Sequence, residues 1–195
     1  MTHRVFIAIN LPQEVKKELL NYQEKITALF PERCPIRWTG EENLHLTLVF
    51  LGAISNDELT RVCHLCRESG KNKEVFSLTL KQIAYGPPKA MPPRMVWVIG
   101  EKSAELAALK YDLEKALTSQ SENNYTPDER AFSPHLTLGR IKGWEFRQIE
   151  PEERPEVNEA LSLGFQVNSF EIMESELRST GPKYTILESI PLIED

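Results

Sequence analysis

Asn43-Leu-His-Leu-Thr-Leu-Val-Phe-Leu51 and His135-Leu-Thr-Leu-Gly-Arg-Ile141 carry the same four letters, His-Leu-Thr-Leu, at residues 45–48 and again at 135–138. Both runs alternate polar and apolar residues, as a strand with one buried face does. A period of two puts His45 and Thr47 on one face, with Leu44, Leu46 and Leu48 behind them. His135 and Thr137 repeat the arrangement over Leu136 and Leu138. The leucines belong to the core, so each imidazole and hydroxyl must face solvent, a cleft or a partner.

Imidazole, with an ordinary pKa of about 6.5, gives or takes a proton near neutral pH. A hydroxyl beside it can donate to an oxyanion. Two such pairs facing each other supply a base, an acid and two donors around a central anion. In-line displacement at phosphorus needs those parts. The bland alternative is two amphipathic strands that happen to carry His and Thr on their polar faces, since Thr is a good strand residue. One copy would be read that way. Two copies in a chain with only four histidines argue for chemistry. His3 and His64 lack the threonine partner and read as incidental.

Paired His-x-Thr-x motifs about ninety residues apart resemble the 2H phosphoesterase superfamily, and within it the RNA 2′,3′-cyclic phosphodiesterase (2′-5′ RNA ligase) family. The resemblance extends over the opening Arg4-Val-Phe-Ile-Ala-Ile-Asn-Leu-Pro12, Arg37-Trp38, and Glu42 to Gly52 around the first motif. It continues through Phe132-Ser-Pro-His-Leu-Thr-Leu-Gly-Arg140 and ends in Glu174-Ser-Glu-Leu177 and Gly181-Pro-Lys-Tyr184. It implies an α+β fold: two pseudo-symmetric lobes of mostly antiparallel sheet with outer helices, one motif on each side of the cleft between them. It also implies metal-independent hydrolysis of a terminal 2′,3′-cyclic phosphate to a 2′-phosphomonoester, with His45 as proton donor and His135 as proton acceptor. Residue chemistry alone leaves that order open. Thr47 and Thr137 would hold the non-bridging oxygens. The same site could ligate 2′-5′ ends in reverse.

Arg140 is a candidate for the remaining anionic charge, because a guanidinium fork fits phosphate. Strict alternation would put it behind the histidine face, but Gly139 hints at a bulge that could turn it forward. Phe132 and Tyr184 are candidates for stacking a base, with packing the stronger expectation for each. No cluster of carboxylates and histidines at metal spacing accompanies the motifs, so neither a catalytic metal nor a cofactor is expected. Cys63-His-Leu-Cys66 lies in a helical pattern without a second pair to complete a zinc site, and three cysteines make a disulfide framework unlikely.

At 195 residues the chain suits one bilobal domain, 1–195. Its 41% hydrophobic and 27% charged residues are ordinary for a globular protein. The formal net charge of −6 argues against tracking long nucleic acid, which needs a basic stripe, but not against a small phosphate site for RNA 3′ ends or short oligonucleotides. No apolar run approaches a membrane span, and the first residues turn polar too soon for a signal peptide, so a cytoplasmic monomer with no protein partner is expected.

Along the chain, strands are predicted at Arg4–Asn10, at both motifs, and at 76–83, 95–99, 165–173 and 184–190, with Gly181-Pro182 turning the last hairpin. Helices are predicted after Pro12, from the Ser55/Glu58 capping box to about Glu68, over Ser103–Thr118 and over Glu156–Gly164. Trp38 reads as packing, with stacking of a base near the cleft as the alternative, Gly86–Pro93 as a proline-rich loop, 122–129 as a polar connection and 144–154 as loop. No dinucleotide or ATP loop signature occurs. Rival readings are a phosphodiesterase of the same superfamily acting on 2′-5′ oligonucleotides or small cyclic nucleotides, and an RNA-end binder without turnover.

Overall fold

The computed structural model describes residues 2–30, 32–119, 125–127, 131–178 and 181–194. The expected connection 122–129 lies largely outside them. The elements run β1 (Thr2–Asn10), α1 (Gln13–Thr27), β2 (Ile36–Trp38), β3 (His45–Ser55), α2 (Asn56–Gly70), β4 (Phe76–Gly86), β5 (Met95–Gly100), α3 (Ala104–Thr118), β6 (His135–Ile141), α4 (Gly143–Arg147), β7 (Asn158–Val167), β8 (Ser169–Arg178) and β9 (Gly181–Pro191). Single 3-10 turns sit at Glu41–Asn43 and Pro151–Glu153.

Two antiparallel sheets result, one in the order β3-β1-β8-β9 and the other β2-β6-β5-β4-β7. Apart from β2, the orders correspond strand for strand: β3 with β6, β1 with β5, β8 with β4, β9 with β7. Each motif strand is linked to its inner neighbour through a helix, α1 in one half and α3 in the other. Leu44, Leu46 and Leu48 are buried, as are Leu136 and Leu138, in one core that also takes Leu19 and Ile26 of α1 and Leu106, Leu109 and Leu113 of α3. The α+β, two-lobed expectation holds. The capping box forms as expected: Ser55 Oγ accepts from the Glu58 amide, and the Glu58 carboxylate accepts from the Ser55 amide at 2.7 Å.

Three readings need correction. Glu156–Gly164 is no helix; β7 begins at Asn158 and pairs with β4 from Ala84↔Asn158 to Phe76↔Val167. Its glutamates and leucines suit a helix, but Leu161, Leu163, Phe165 and Val167 recur every second residue, and pairing against a half-buried sheet overrides propensity. Residues 144–154 contain α4 and a 3-10 turn, pinned by the buried Phe146. The single strand expected at 165–173 is instead the end of β7 and the start of β8, which lie in different sheets, whereas Trp38 packs as expected, donating its indole N–H to Thr27 Oγ1 at 2.8 Å from β2, a strand paired to β6.

Both motif strands carry a bulge at the same place. Against β1, Ala8 pairs with Thr47 but Ile7 with Val49, leaving Leu48 extra. Against β5, Trp97 pairs with Thr137 but Val96 with Gly139, leaving Leu138 extra. A bulge shifts the phase of alternation, so residues beyond it change face. Val49 and Gly139 therefore turn inward, and Phe50 and Arg140 outward. In the second half the inward position must be glycine. A Cβ on Gly139 would stand 2.6 Å from Ile36 Cγ2 and 2.7 Å from the Trp38 ring, both on β2. Among the described residues β3 has no outer neighbour of that kind, and its valine fits. Gly139→Ala is expected to cost about 1–3 kcal/mol by overpacking, read as a lower urea midpoint at unchanged slope.

Candidate active site

The two histidines are held in the same way. His45 donates its Nδ1–H to the Asn43 carbonyl at 2.7 Å, and His135 donates its own to the Ser133 carbonyl at 2.8 Å. A carbonyl can only accept, so each neutral ring carries its proton on Nδ1 and leaves the Nε2 lone pair for chemistry. In each case the anchor is two residues upstream, just before the strand begins. The two motif strands also touch each other across the lobes.

The walls around the rings differ. His45 packs 4.9 Å from the Phe6 ring and edge-on to Tyr184, also at 4.9 Å between centroids. Phe50 follows, 6.1 Å from Phe6 and 73% exposed. His135 lies nearly flat on the Trp97 indole, with centroids 3.9 Å apart and planes 31° apart. Gly86 lies against the indole, where any Cβ would run into it. Met95 Sδ takes the Trp97 N–H at 3.4 Å and lies 3.9 Å from Thr137 Oγ1. Met95, Trp97 and Thr137 therefore share one face, and Met95 is the register partner of Arg140.

Of the residues named from sequence, His45, Thr47, His135 and Thr137 sit on the paired strands, and Tyr184 touches His45. The bulge turns Arg140 to the histidine face, and it is exposed. Phe132 is half-buried against the core, under Lys110 Nζ at 5.3 Å, away from the ring contacts of either histidine. His3 is not loose: its ring nitrogens lie 2.7 Å from Glu174 Oε1 and Asn56 Oδ1, tying β1 to β8 and α2. Cys63 and Cys66 lie on α2, where burial pushes both thiols up. Sequence reading missed Phe50 and Trp97. Phe50 could have been found by superimposing the repeats, where it takes the place of Arg140. Trp97 could have been found from the alternation of Met95, Trp97 and Ile99.

Burial pulls the His45 pKa down to about 4. The Asn43 carbonyl opposes this, and the positive charge of Lys16, buried in α1, adds to it. His45 is therefore neutral at pH 7 in the free protein. The unfolded chain takes up this proton from about pH 6.5 downward, whereas the folded protein does so only near pH 4. Folding stability should therefore fall by up to about 3 kcal/mol as pH drops across that window. Urea unfolding at stepped pH should show the fall in wild type and a smaller one in His45→Asn. Among the described residues no group of three metal-ligating side chains comes together.

Comparison with known proteins fits this geometry. The family described as LigT-like phosphoesterase matches residues 9–97 and again 99–184, one motif in each stretch. An RNA 2′,3′-cyclic phosphodiesterase of Thermotoga maritima is 35% identical over 189 residues, 94% of this chain and 92% of that protein. A crystal structure from Thermus thermophilus superposes with a TM-score of 0.81 at 30% identity, covering 97% of each chain. E. coli LigT complexed with 3′-AMP shares the fold, with a TM-score of 0.76 at 24% identity and 98% and 99% coverage. Two matched halves, each built on its own His-x-Thr-x strand, mean that the chain belongs to the LigT-like phosphoesterase family.

Proposed function

We propose that the protein is an RNA 2′,3′-cyclic phosphodiesterase that opens a terminal cyclic phosphate to a 2′-phosphomonoester. The observation that supports this best is the matched anchoring of the two imidazoles. Binding a phosphate needs donors, but it does not need two titrating rings with their Nε2 atoms left for proton transfer. His135 takes the proton of a water as that water attacks phosphorus. The P–O3′ bond breaks, and His45 gives its proton to the departing 3′ oxygen. Thr47 and Thr137 donate to the non-bridging oxygens as charge builds on them. Arg140 supplies positive charge on the Thr137 side. Phe50 offers an exposed ring to the base, while Tyr184 and Phe132 act through packing. We place the protein in the cytoplasm as a monomer acting on RNA 3′ ends and short oligonucleotides, with 2′-5′ ligation as the reverse of the same step. No helix among the described residues is long and apolar enough to cross a membrane.

A donor role for His45 has to be squared with its low pKa in the free protein. The bound cyclic phosphate brings a negative charge beside the ring, and an adjacent opposite charge favours the imidazolium. The profile of kcat/KM reports the free enzyme and that of kcat the complex. The His45 limb in kcat should therefore lie above the free protein's value of about 4. A kcat that rises with pH through that limb, instead of falling, would make His45 the acceptor.

The direct test is a short RNA ending in a 2′,3′-cyclic phosphate, incubated with EDTA, with wild type, His45→Ala and His135→Ala compared. Wild type alone should form product, and that product should be the 2′-phosphate. A 3′-phosphate would reverse the leaving group, and binding without turnover would make the protein an RNA-end binder. Thr47→Ala and Thr137→Ala should each lose about 10²–10³-fold in kcat.

A further inference from the structure

We propose that Arg37, side by side with Arg140, forms a second anion site for the phosphodiester joining the terminal nucleotide to the one before it. The cleft would then be built for an oligonucleotide end and not for a cyclic mononucleotide. The inference rests on the cyclic phosphodiesterase reading above and names the substrate class of the same site.

Arg37 and Arg140 are direct register partners across β2 and β6, so their side chains leave the sheet on the same face. Which face is fixed from both sides. The neighbouring pair Trp38↔Gly139 points inward, since a Cβ on Gly139 would meet Ile36 and Trp38. Arg140 also pairs with Met95, whose sulfur contacts Trp97 and Thr137. The two guanidinium groups thus stand on the motif face, one row beyond Thr137, and both residues are exposed. Adjacent strands lie about 4.8 Å apart, a spacing that lets two planar forks reach the oxygens of one phosphate. The Arg37 guanidinium extends to the backbone of Gly181 at the start of β9, and Asn43 Nδ2 donates to the neighbouring Pro182 carbonyl at 3.3 Å. Arg37 therefore sits where the two lobes meet, beside the residue whose carbonyl anchors His45.

The opposite wall carries the complement. The equivalent row of the other sheet is Phe50, Phe6, Met173 and Ile186, register partners in turn. One wall is cationic and the other apolar at the same distance from the motifs. A nucleic acid strand has that pairing of properties, with charge along the backbone and π-faces on the bases. In a chain of net charge −6, two arginines set opposite each other are a local feature and not part of a general basic surface.

The experiment compares two oligonucleotides that both end in a 2′,3′-cyclic phosphate. One has a natural linkage next to the terminal nucleotide and the other a neutral methylphosphonate there. Wild type should open the natural one with kcat/KM about 10- to 100-fold higher, as for loss of charge-assisted hydrogen bonds. Arg37→Met should shrink that ratio to a few-fold, because removing either partner removes the same interaction. Arg37→Lys, which keeps the charge without the fork, replaces it if the methionine variant does not fold. Equal rates on the two substrates by wild type, or an unchanged ratio in the variant, would overturn the site while leaving ring opening intact. Failure to open either ring would remove the phosphodiesterase reading and this inference with it.

Discussion

Everything at the candidate site depends on two hydrogen bonds from ring N–H groups to backbone carbonyls. An imidazole on a strand edge can rotate and can carry its proton on either nitrogen. The Asn43 and Ser133 carbonyls remove both freedoms at once. Each carbonyl is placed by local structure: a 3-10 turn before β3 in one case, and Ser133-Pro134 leading into β6 in the other. Because the bond is to main chain, no particular side chain is needed at the anchoring position.

The bulge after each motif is the second shared device. It lets a strand bury Leu46 and Leu48, or Leu136 and Leu138, and still present a third side chain beyond the histidine and threonine on the cleft face. With that geometry common to both halves, the two walls differ by what occupies equivalent positions: Phe50 against Arg140, Phe6 against Met95, Ala8 against Trp97. The extra strand β2 adds Arg37 to one wall and makes glycine obligatory at 139. A near-symmetric scaffold thus carries an asymmetric site, apolar and strongly desolvating around His45, indole-lined around His135.

That difference in surroundings also separates the histidines chemically. His45 sits among Phe6 and Tyr184 with the Lys16 charge nearby, so burial and like charge both hold it neutral in the free protein. An anion beside the ring would favour its protonated form. Such a change would suit the donor role proposed for it.

Periodicity and repetition determined much of this protein by themselves. Two His-Leu-Thr-Leu strands with leucines on the reverse face fix which residues meet solvent and which meet the core, because side-chain direction in a strand has a period of two. The Ser55/Glu58 box and the helices around it were legible for the same reason: the signal is local. Only the tertiary structure decided the rest. Residues 158–167 became a strand because β4 offers a pairing edge, which no local propensity records. The face of Arg140 was decided by a bulge whose one-residue slip depends on the partner strand. Arg37, Phe50 and Trp97 reached the motif faces of the sheets through register between strands distant in the chain, and register is a property of the pair, not of either sequence.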